Sequence, residues 1–323
     1  MNTLKKNFKK ILDILFSPLT LISALWLRFI RQSIVKFWED DSLVSKAIFN
    51  KVGVFPVLDH YYEPRFNYKK LKFSLRDDRQ LTGIDFNVSE QLLLLGKFNY
   101  NEELKEIANL PEKELTFSFL KGPFRSGDAE YLYNIIRLLK PKKIIEIGSG
   151  HSTLIAQHGI AKNLAENLNY NCDHTCIEPY ENLWLEKLPV KVIRILVEDV
   201  EIDFFKQLNE NDILFIDSSH IIRPQGDVLF EYLQILPSLN KGVIVHIHDI
   251  FTPKDYLTEW LMNGTLFWNE QYLLESFLSL NSSYQIIGAL NYLKHNFYNE
   301  LAEKCPMLSE EREPGSFWIK KIN

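Results

Sequence analysis

Cysteine is nearly absent from the 323 residues: Cys172, Cys176 and Cys305 stand alone, with no C-x-x-C pair and no second cluster. That excludes a disulfide framework and a structural zinc site, and it points to a reducing, cytoplasmic setting. Cys172, His174 and Cys176 could be drawn as ligands, but they lead into the apolar end of a strand, where a free thiol is common packing. Charge of one sign is missing too. With 37 basic against 42 acidic side chains the net charge is −5, which excludes the global basic field of a nucleic-acid partner. There is no internal repeat or low-complexity segment, so solenoids and propellers are out. A long charge-free apolar run is lacking as well. Near the N-terminus only Ile14 to Leu27 is uncharged, and it contains Ser17-Pro18, short of the roughly 20 residues of a bilayer-spanning helix. Without a small-residue cleavage site before Arg28 and Arg31, a signal peptide is not expected either.

What is present is a globular composition, 46% hydrophobic and 24% charged, with 13 Gly and 13 Pro, enough for one main α/β unit and an N-terminal elaboration. From Met1 to Asp40 there are seven basic residues (Lys5, Lys6, Lys9, Lys10, Arg28, Arg31, Lys36) against three acids, while the remainder is acidic. Leu4, Phe8, Ile11, Leu12 and Leu15 fall at helical spacing with the lysines mostly off that stripe, which predicts a basic amphipathic helix. Ser17-Pro18 reads as a start signal for a second helix. Two placements fit: an arm docked on its own domain or on a second subunit in a homo-oligomer, or a pair of helices lying on an anionic membrane.

Downstream, helical pattern at Ser89–Leu95 and Asp128–Leu139 gives way to alternation. Strand-like runs occur at Lys143–Ile147, His174–Ile177, Val190–Leu196, Asp212–Ile216, Gly242–His248, Tyr284–Gly288 and Ser316–Ile319. Continuous apolar runs such as ILFI and VIVHI describe strands buried on both faces. The expectation is an α/β fold with a doubly wound, seven-stranded, mostly parallel sheet. The short link between the last two strands suggests an edge hairpin, and NLAENLNYNCDH reads as a loop inserted in an early crossover.

In such sheets ligands bind beyond the carboxyl ends of the strands. The first strand ends Glu146-Ile147-Gly148-Ser149-Gly150-His151-Ser152-Thr153, a tight glycine turn offering N–H groups to an anion. The second ends at Glu178, placed to accept from vicinal ribose hydroxyls; the third is followed by Glu198, Asp199 and Val200. The fourth and fifth end Asp217-Ser218-Ser219-His220 and His246-Ile247-His248-Asp249. Each is weak singly, because terminal acids also cap helices. Five in series point to a nucleoside-type cofactor site.

The series Glu146-Ile-Gly148-Ser-Gly150, Glu178, Asp199 and Asp217 resembles the motifs of class I S-adenosylmethionine-dependent methyltransferases. FIDSSH and GVIVHIHD are similar to the branch that includes macrocin-, novobiocin- and catechol-type O-methyltransferases. The resemblance covers about residues 124–319 and implies S-adenosylmethionine as cofactor. It implies Gly148 and Gly150 at the methionine part, Ser152 and Thr153 near its carboxylate, Glu178 on the ribose and Asp199 on the adenine amino group, with Glu146, Ser149, Val200 and Asp217 completing the cofactor set. Ser152 stands where a third glycine is usual. The long interval from Glu146 to Glu178 counts against NAD, leaving a nicotinamide-dependent oxidoreductase or a non-catalytic nucleoside-binding protein as the alternatives. Three segments follow: a helical arm over 1–60, a cap and lead-in over 61–130, and the cofactor-binding methyltransferase domain over 131–323.

Methyl transfer to an oxygen needs an aligned acceptor and a nucleophilic hydroxyl, supplied by a general base or a divalent cation. The resemblance implies that Asp217, His248 and Asp249 match metal-holding positions, with Mg²⁺ favoured by oxygen ligands and Mn²⁺ by the histidine. His220 and His248 are rival candidates for base and ligand; His246 reads better as a buried imidazole satisfying a neighbour. Arg223 and Asp227 are secondary candidates. Tyr61, Tyr62 and Glu63, with Arg125, Ser126, Gly127 and Asp128, could close over the cofactor. Phe251 to Trp268, with Trp260, Phe267 and Trp268, could wall an acceptor pocket for a sugar, glycan or small natural-product-like molecule.

Overall fold

The computed structural model describes every residue except 1, 35–43, 59–63, 65, 112–114, 181 and 263–265. Lys36 and the lid candidates Tyr61, Tyr62 and Glu63 therefore lie outside the described residues. The chain forms two compact units, Met1–Lys72 and Phe73–Asn323.

The first unit carries α1 (Asn2–Phe29), continued by a π-helical turn (Ile30–Ile34), and α2 (Val44–Val52). The expected restart at Ser17-Pro18 does not occur: Pro18 lies inside one continuous helix. Proline has no N–H for the Ile14 carbonyl four residues back, and the Ser17 hydroxyl donates to that carbonyl instead (2.8 Å). The helical stretch Lys6–Gln32 thus runs 27 residues, long and apolar enough by length and composition to cross a membrane, so shortness alone no longer excludes a span.

The second unit begins with α3 (Val88–Leu95), α4 (Asn101–Ala108) and α5 (Asp128–Leu139) and then builds the sheet. Its strands are β1 (Lys143–Ile147), β2 (Asp173–Ile177), β3 (Lys191–Ile193), β4 (Ile213–Ile216), β5 (Ile244–Ile247), β6 (Tyr284–Ala289) and β7 (Phe317–Lys321). The order is β3-β2-β1-β4-β5-β7-β6, all parallel except β7, which runs antiparallel to both neighbours. The expected seven-stranded, doubly wound sheet is what forms. Two details differ. The third strand is shorter than expected, and the link from β6 to β7 is not a short hairpin but carries two helices, Leu290–Asn296 and Tyr298–Lys304.

Period-two alternation sends Ile144, Ile213, Phe215 and Trp318 to one face of the sheet and Ile145, Leu214, Ile216 and Val245 to the other. The first face packs on α5 and α6 (His151–Glu166), with Tyr131, Ile135, Ile136 and Ile155 buried between them. Of the segment expected as an inserted loop, residues 163–166 are the end of α6, and residues 167–172 are the loop that leads to β2. Asn163 is buried in α6, donating to the Ile136 carbonyl (2.9 Å) and accepting from Arg137. The three cysteines are free thiols, two of them buried.

Candidate active site

Because β1 lies between β2 and β4, the crossovers leave β1 in opposite directions, and a crevice opens beyond its carboxyl end. The turn after β1 is fixed by sterics. Gly148 sits at φ +74°, and a Cβ there would come within 1.8 Å of the Asp217 carbonyl oxygen. Its N–H donates to the Ile177 carbonyl (3.0 Å), so β1, β2 and β4 all close on this residue. The Thr153 hydroxyl accepts from Gly150 N–H (3.1 Å) and donates to Glu146 (2.5 Å). Glu146 is wholly buried, also facing His174 Nε2 (3.0 Å), so it braces the turn from beneath.

The result is a cavity of about 370 Å³ lined by Pro123, Phe124, residues 148–152, Glu178, Asn182 and Asp217. Glu178 accepts from Ser149 N–H (3.3 Å) and Tyr180 N–H (3.0 Å). The Ser149 hydroxyl is buried, and among the described residues it accepts or donates no bond to nitrogen or oxygen. Asp199 is exposed and Val200 buried in the opposite core layer; neither lines this cavity, so the crevice does not gather them with the rest. Asn182 was not signalled by the sequence, yet its amide donates to the Ser149 carbonyl (2.8 Å) and holds the turn.

Beside the cavity, the ends of β4 and β5 bring together Asp217, His220, His248 and Asp249. His248 Nδ1 lies 3.4 Å from Asp217 Oδ1 and 3.5 Å from Asp249 Oδ1, and the three groups could hold one metal ion. His220 Nε2 faces Asp217 Oδ1 (3.3 Å) and Asp249 Oδ2 (3.7 Å) from the other side. His220 and Asp249 both adopt left-handed backbone, φ +60° and +56°, a cost retained where side chains must be aimed. His220 Nδ1 is held by Glu270 (2.8 Å), which also accepts from the Tyr232 hydroxyl (3.0 Å). Nothing in the sequence signalled Glu270, which arrives from the start of α8 (Glu270–Leu278) fifty positions away; α7 (Asp227–Phe230) comes earlier in the chain.

Burial disfavours the charged form of both histidines, but neighbouring carboxylates outweigh it. Asp217 and Glu270 carry His220 well above its ordinary value, and Asp249, Asp217 and Asp128 do the same for His248. Burial pushes Asp249 up, while Asp217, despite its desolvation, is held far below the usual carboxylate range by His248 and His220. His246 differs. It stacks on Phe215 (4.0 Å) and meets the Ser316 hydroxyl (2.8 Å), and burial drives it well below its ordinary value, so it stays neutral. Asp227 accepts from the backbone and hydroxyl of Ser219 (2.9 and 2.7 Å) and so braces the β4 turn; Arg223 stays exposed.

Trp268 packs 4.3 Å from the His220 ring, and Trp260 packs on Trp268 and Phe251. Trp260 also lines a second cavity of about 370 Å³ with Arg125, Ser126, Leu257, Glu259 and Arg312. Arg312 is bound to the buried Asp128 (2.7 Å), whose carboxylate lies 3.9 Å from His248 Nε2.

A family model described as a methyltransferase domain matches residues 145–250. An uncharacterized protein of Archaeoglobus fulgidus is 31% identical over 181 residues, 52% of this chain and 80% of the relative. Among solved structures the chain is similar to the O-methyltransferase TomG from Streptomyces achromogenes, involved in tomaymycin synthesis, in complex with SAM. There the TM-score is 0.36 at 11% identity, over 71% of this chain and 90% of that one. An O-methyltransferase from Bacillus cereus in complex with SAH gives 0.36 at 12% identity, over 74% and 98%. MycE methyltransferase from the mycinamycin biosynthetic pathway, with Mg and SAH, gives 0.35 at 14% identity, over 68% and 55%.

Proposed function

We propose that this chain, whose residues 145–250 match a methyltransferase domain, is an S-adenosylmethionine-dependent methyltransferase acting on a hydroxyl of a sugar, glycan or small natural-product-like acceptor. The carrying observation is the junction of two sites: the crevice at Gly148–Ser152 and Glu178, and the Asp217, His220, His248 and Asp249 cluster, share Asp217.

The crevice suits the cofactor. Its turn has room only for glycine at position 148, with the Ser149 hydroxyl buried beside it. Glu178 would take the ribose hydroxyls, and the N–H groups of residues 151–152, at the start of α6, the methionine carboxylate. When bound, the cofactor supplies a methyl group on a sulfonium. For that methyl to pass to an acceptor oxygen, a residue of this chain would have to take up the hydroxyl proton. His220 Nε2 faces the cluster with its other nitrogen fixed by Glu270, the orientation of a proton acceptor. Asp217, Asp249 and Glu270 would stabilise the imidazolium that results.

Asp217, His248 and Asp249 also offer two carboxylates and an imidazole within 4.8 Å of one another, a donor set that fits Mn²⁺ or Mg²⁺. A cation there would lower the acceptor hydroxyl pKa. The aromatic wall of Trp260 and Trp268 suits the apolar face of a sugar ring. The three free thiols support a cytoplasmic setting.

Calorimetry with S-adenosylmethionine, S-adenosylhomocysteine and NAD tests the cofactor: binding of the first two is expected, and NAD binding alone would favour an oxidoreductase. Activity should vanish with chelator and return with Mn²⁺ or Mg²⁺. Full activity in excess chelator, with His220→Ala inactive, would leave His220 as base and remove the metal.

A further inference from the structure

The helix α1 buries almost nothing. Phe8, Ile11, Ile14, Leu15, Leu19, Ile22, Leu25 and Trp26 are all between 56% and 72% exposed, a contiguous apolar surface that a soluble chain does not leave to water. We propose that residues 6–32 lie in the plane of an anionic lipid bilayer, with the apolar face among the acyl chains and the basic residues in the headgroups. This inference is independent of the reaction proposed above.

Three observations select this occupant. First, at 3.6 residues per turn every charged residue of 6–32 (Lys6, Lys9, Lys10, Asp13, Arg28 and Arg31), with Ser17 and Thr20, shares one narrow strip along the helix, and the remaining arc of roughly 220° is apolar except for the uncharged Asn7, Ser23 and Gln32. A partner helix covers a seam of only about 100°, so a second copy of this chain would leave half of the arc wet. A bilayer surface covers it all. Second, the strip carries five cations and one acid, with the cations at both ends, as anionic headgroups would require. A spanning arrangement would draw Asp13 or the lysines into hydrocarbon, since the charge-free run Ile14 to Leu27 covers only about 21 Å of a core about 30 Å thick. Third, the helix runs unbroken through Pro18 because its backbone is satisfied locally. Ser17 Oγ donates to the carbonyl orphaned by Pro18, and Thr20 Oγ1 donates to the Phe16 carbonyl (3.1 Å). Such internal bonds let proline persist in a helix and keep both faces continuous along its length. The short α2 adds Val44, Ile48 and Val52, exposed at i, i+4 and i+8.

The test is sedimentation of the full chain with vesicles of phosphatidylcholine alone or mixed with phosphatidylglycerol. Binding to the mixed vesicles, weakened by salt, is expected. Leu19→Glu should lower partitioning on the order of tenfold, and Lys6, Lys9 and Lys10 changed together to Gln should erase the preference for phosphatidylglycerol. Both variants should keep the cofactor affinity and melting temperature of the parent, which excludes misfolding as the cause. Absence of vesicle binding would overturn the proposal, as would a helix-dependent dimer that Leu19→Glu dissociates. Retention in membranes through alkaline carbonate extraction would overturn the in-plane placement by showing a span.

Discussion

At the scale of single residues, the turn after β1 admits little change. Gly148→Ala would need a left-handed alanine and a Cβ inside the Asp217 carbonyl, so a loss of about 1–3 kcal/mol and weaker cofactor binding are expected, read by thermal melting and calorimetry. Glu178→Ala should leave the fold intact and cost on the order of 1.5–3 kcal/mol of cofactor affinity. Unchanged affinity would remove Glu178 from the site. Glu270 carries the sharper test. As a base His220 must be neutral, and its folded pKa stands well above the ordinary value, so the rate should rise with pH on the alkaline side of a normal histidine. Glu270 is one cause of that elevation. Glu270→Gln should move the rising limb of the pH–rate profile to lower pH and cut the maximal rate about 10²-fold, with cofactor affinity unchanged. A profile that does not move would take His220 out of the proton path. Glu146, Gly148 and Asp217 could be found from strand ends alone, because a parallel sheet assigns function to those positions. Glu270 could not, since its only signal is a contact made by folding.

At the scale of elements, the sheet was legible because runs such as ILFI have no polar face and must be buried on both sides. The β6–β7 link was not, since the amphipathic pattern of two short helices is too brief to distinguish from loop. Helix α1 misled for a local reason: Ser-Pro is an ordinary start signal, overridden where the serine hydroxyl replaces the missing donor. The pairing of α4, α5 and α6 likewise hinges on a residue with no pattern. Arg137 is 1% exposed and bridges Glu103 (2.8 Å), Asn163 and Glu166. Arg137→Ala would leave the buried Asn163 oxygen without its donor and Glu103 without its cation, while Glu166 would keep only Lys140 (3.3 Å). About 3 kcal/mol is expected, at the low end for a broken buried pair because Glu103 and Glu166 reach solvent. Urea denaturation of parent and variant checks it, and a midpoint change too small for 1 kcal/mol would show that the network contributes little.

At the scale of the whole molecule, two glutamates of the second unit set opposite slopes of stability with pH. Burial pushes Glu130 up from 4.5 to about 7, only partly offset by N–H groups of Gly127 and Met307. The folded protein therefore keeps a proton that the unfolded chain releases, so this contribution is full below about pH 4.5 and is lost as pH rises toward 7. His220 and His248, also raised, act in the same direction and lose their share at higher pH. Glu313 runs the other way. Half-burial would raise it, but hydrogen bonds from His295, Asn291 and Lys294 bring it down to about 2. Its contribution is present above 4.5 and is lost as pH falls toward 2. The melting temperature should therefore fall on both sides of a maximum near pH 4.5–5 as far as these two groups decide it. Glu130→Gln should flatten the decline between pH 4.5 and 7 without touching the acid limb, and Glu313→Gln should do the reverse. Melting curves at unit steps of pH measure both slopes, and an unchanged neutral slope in Glu130→Gln would mean that the carboxyl is ionised in the native state and its burial is compensated by the two backbone donors.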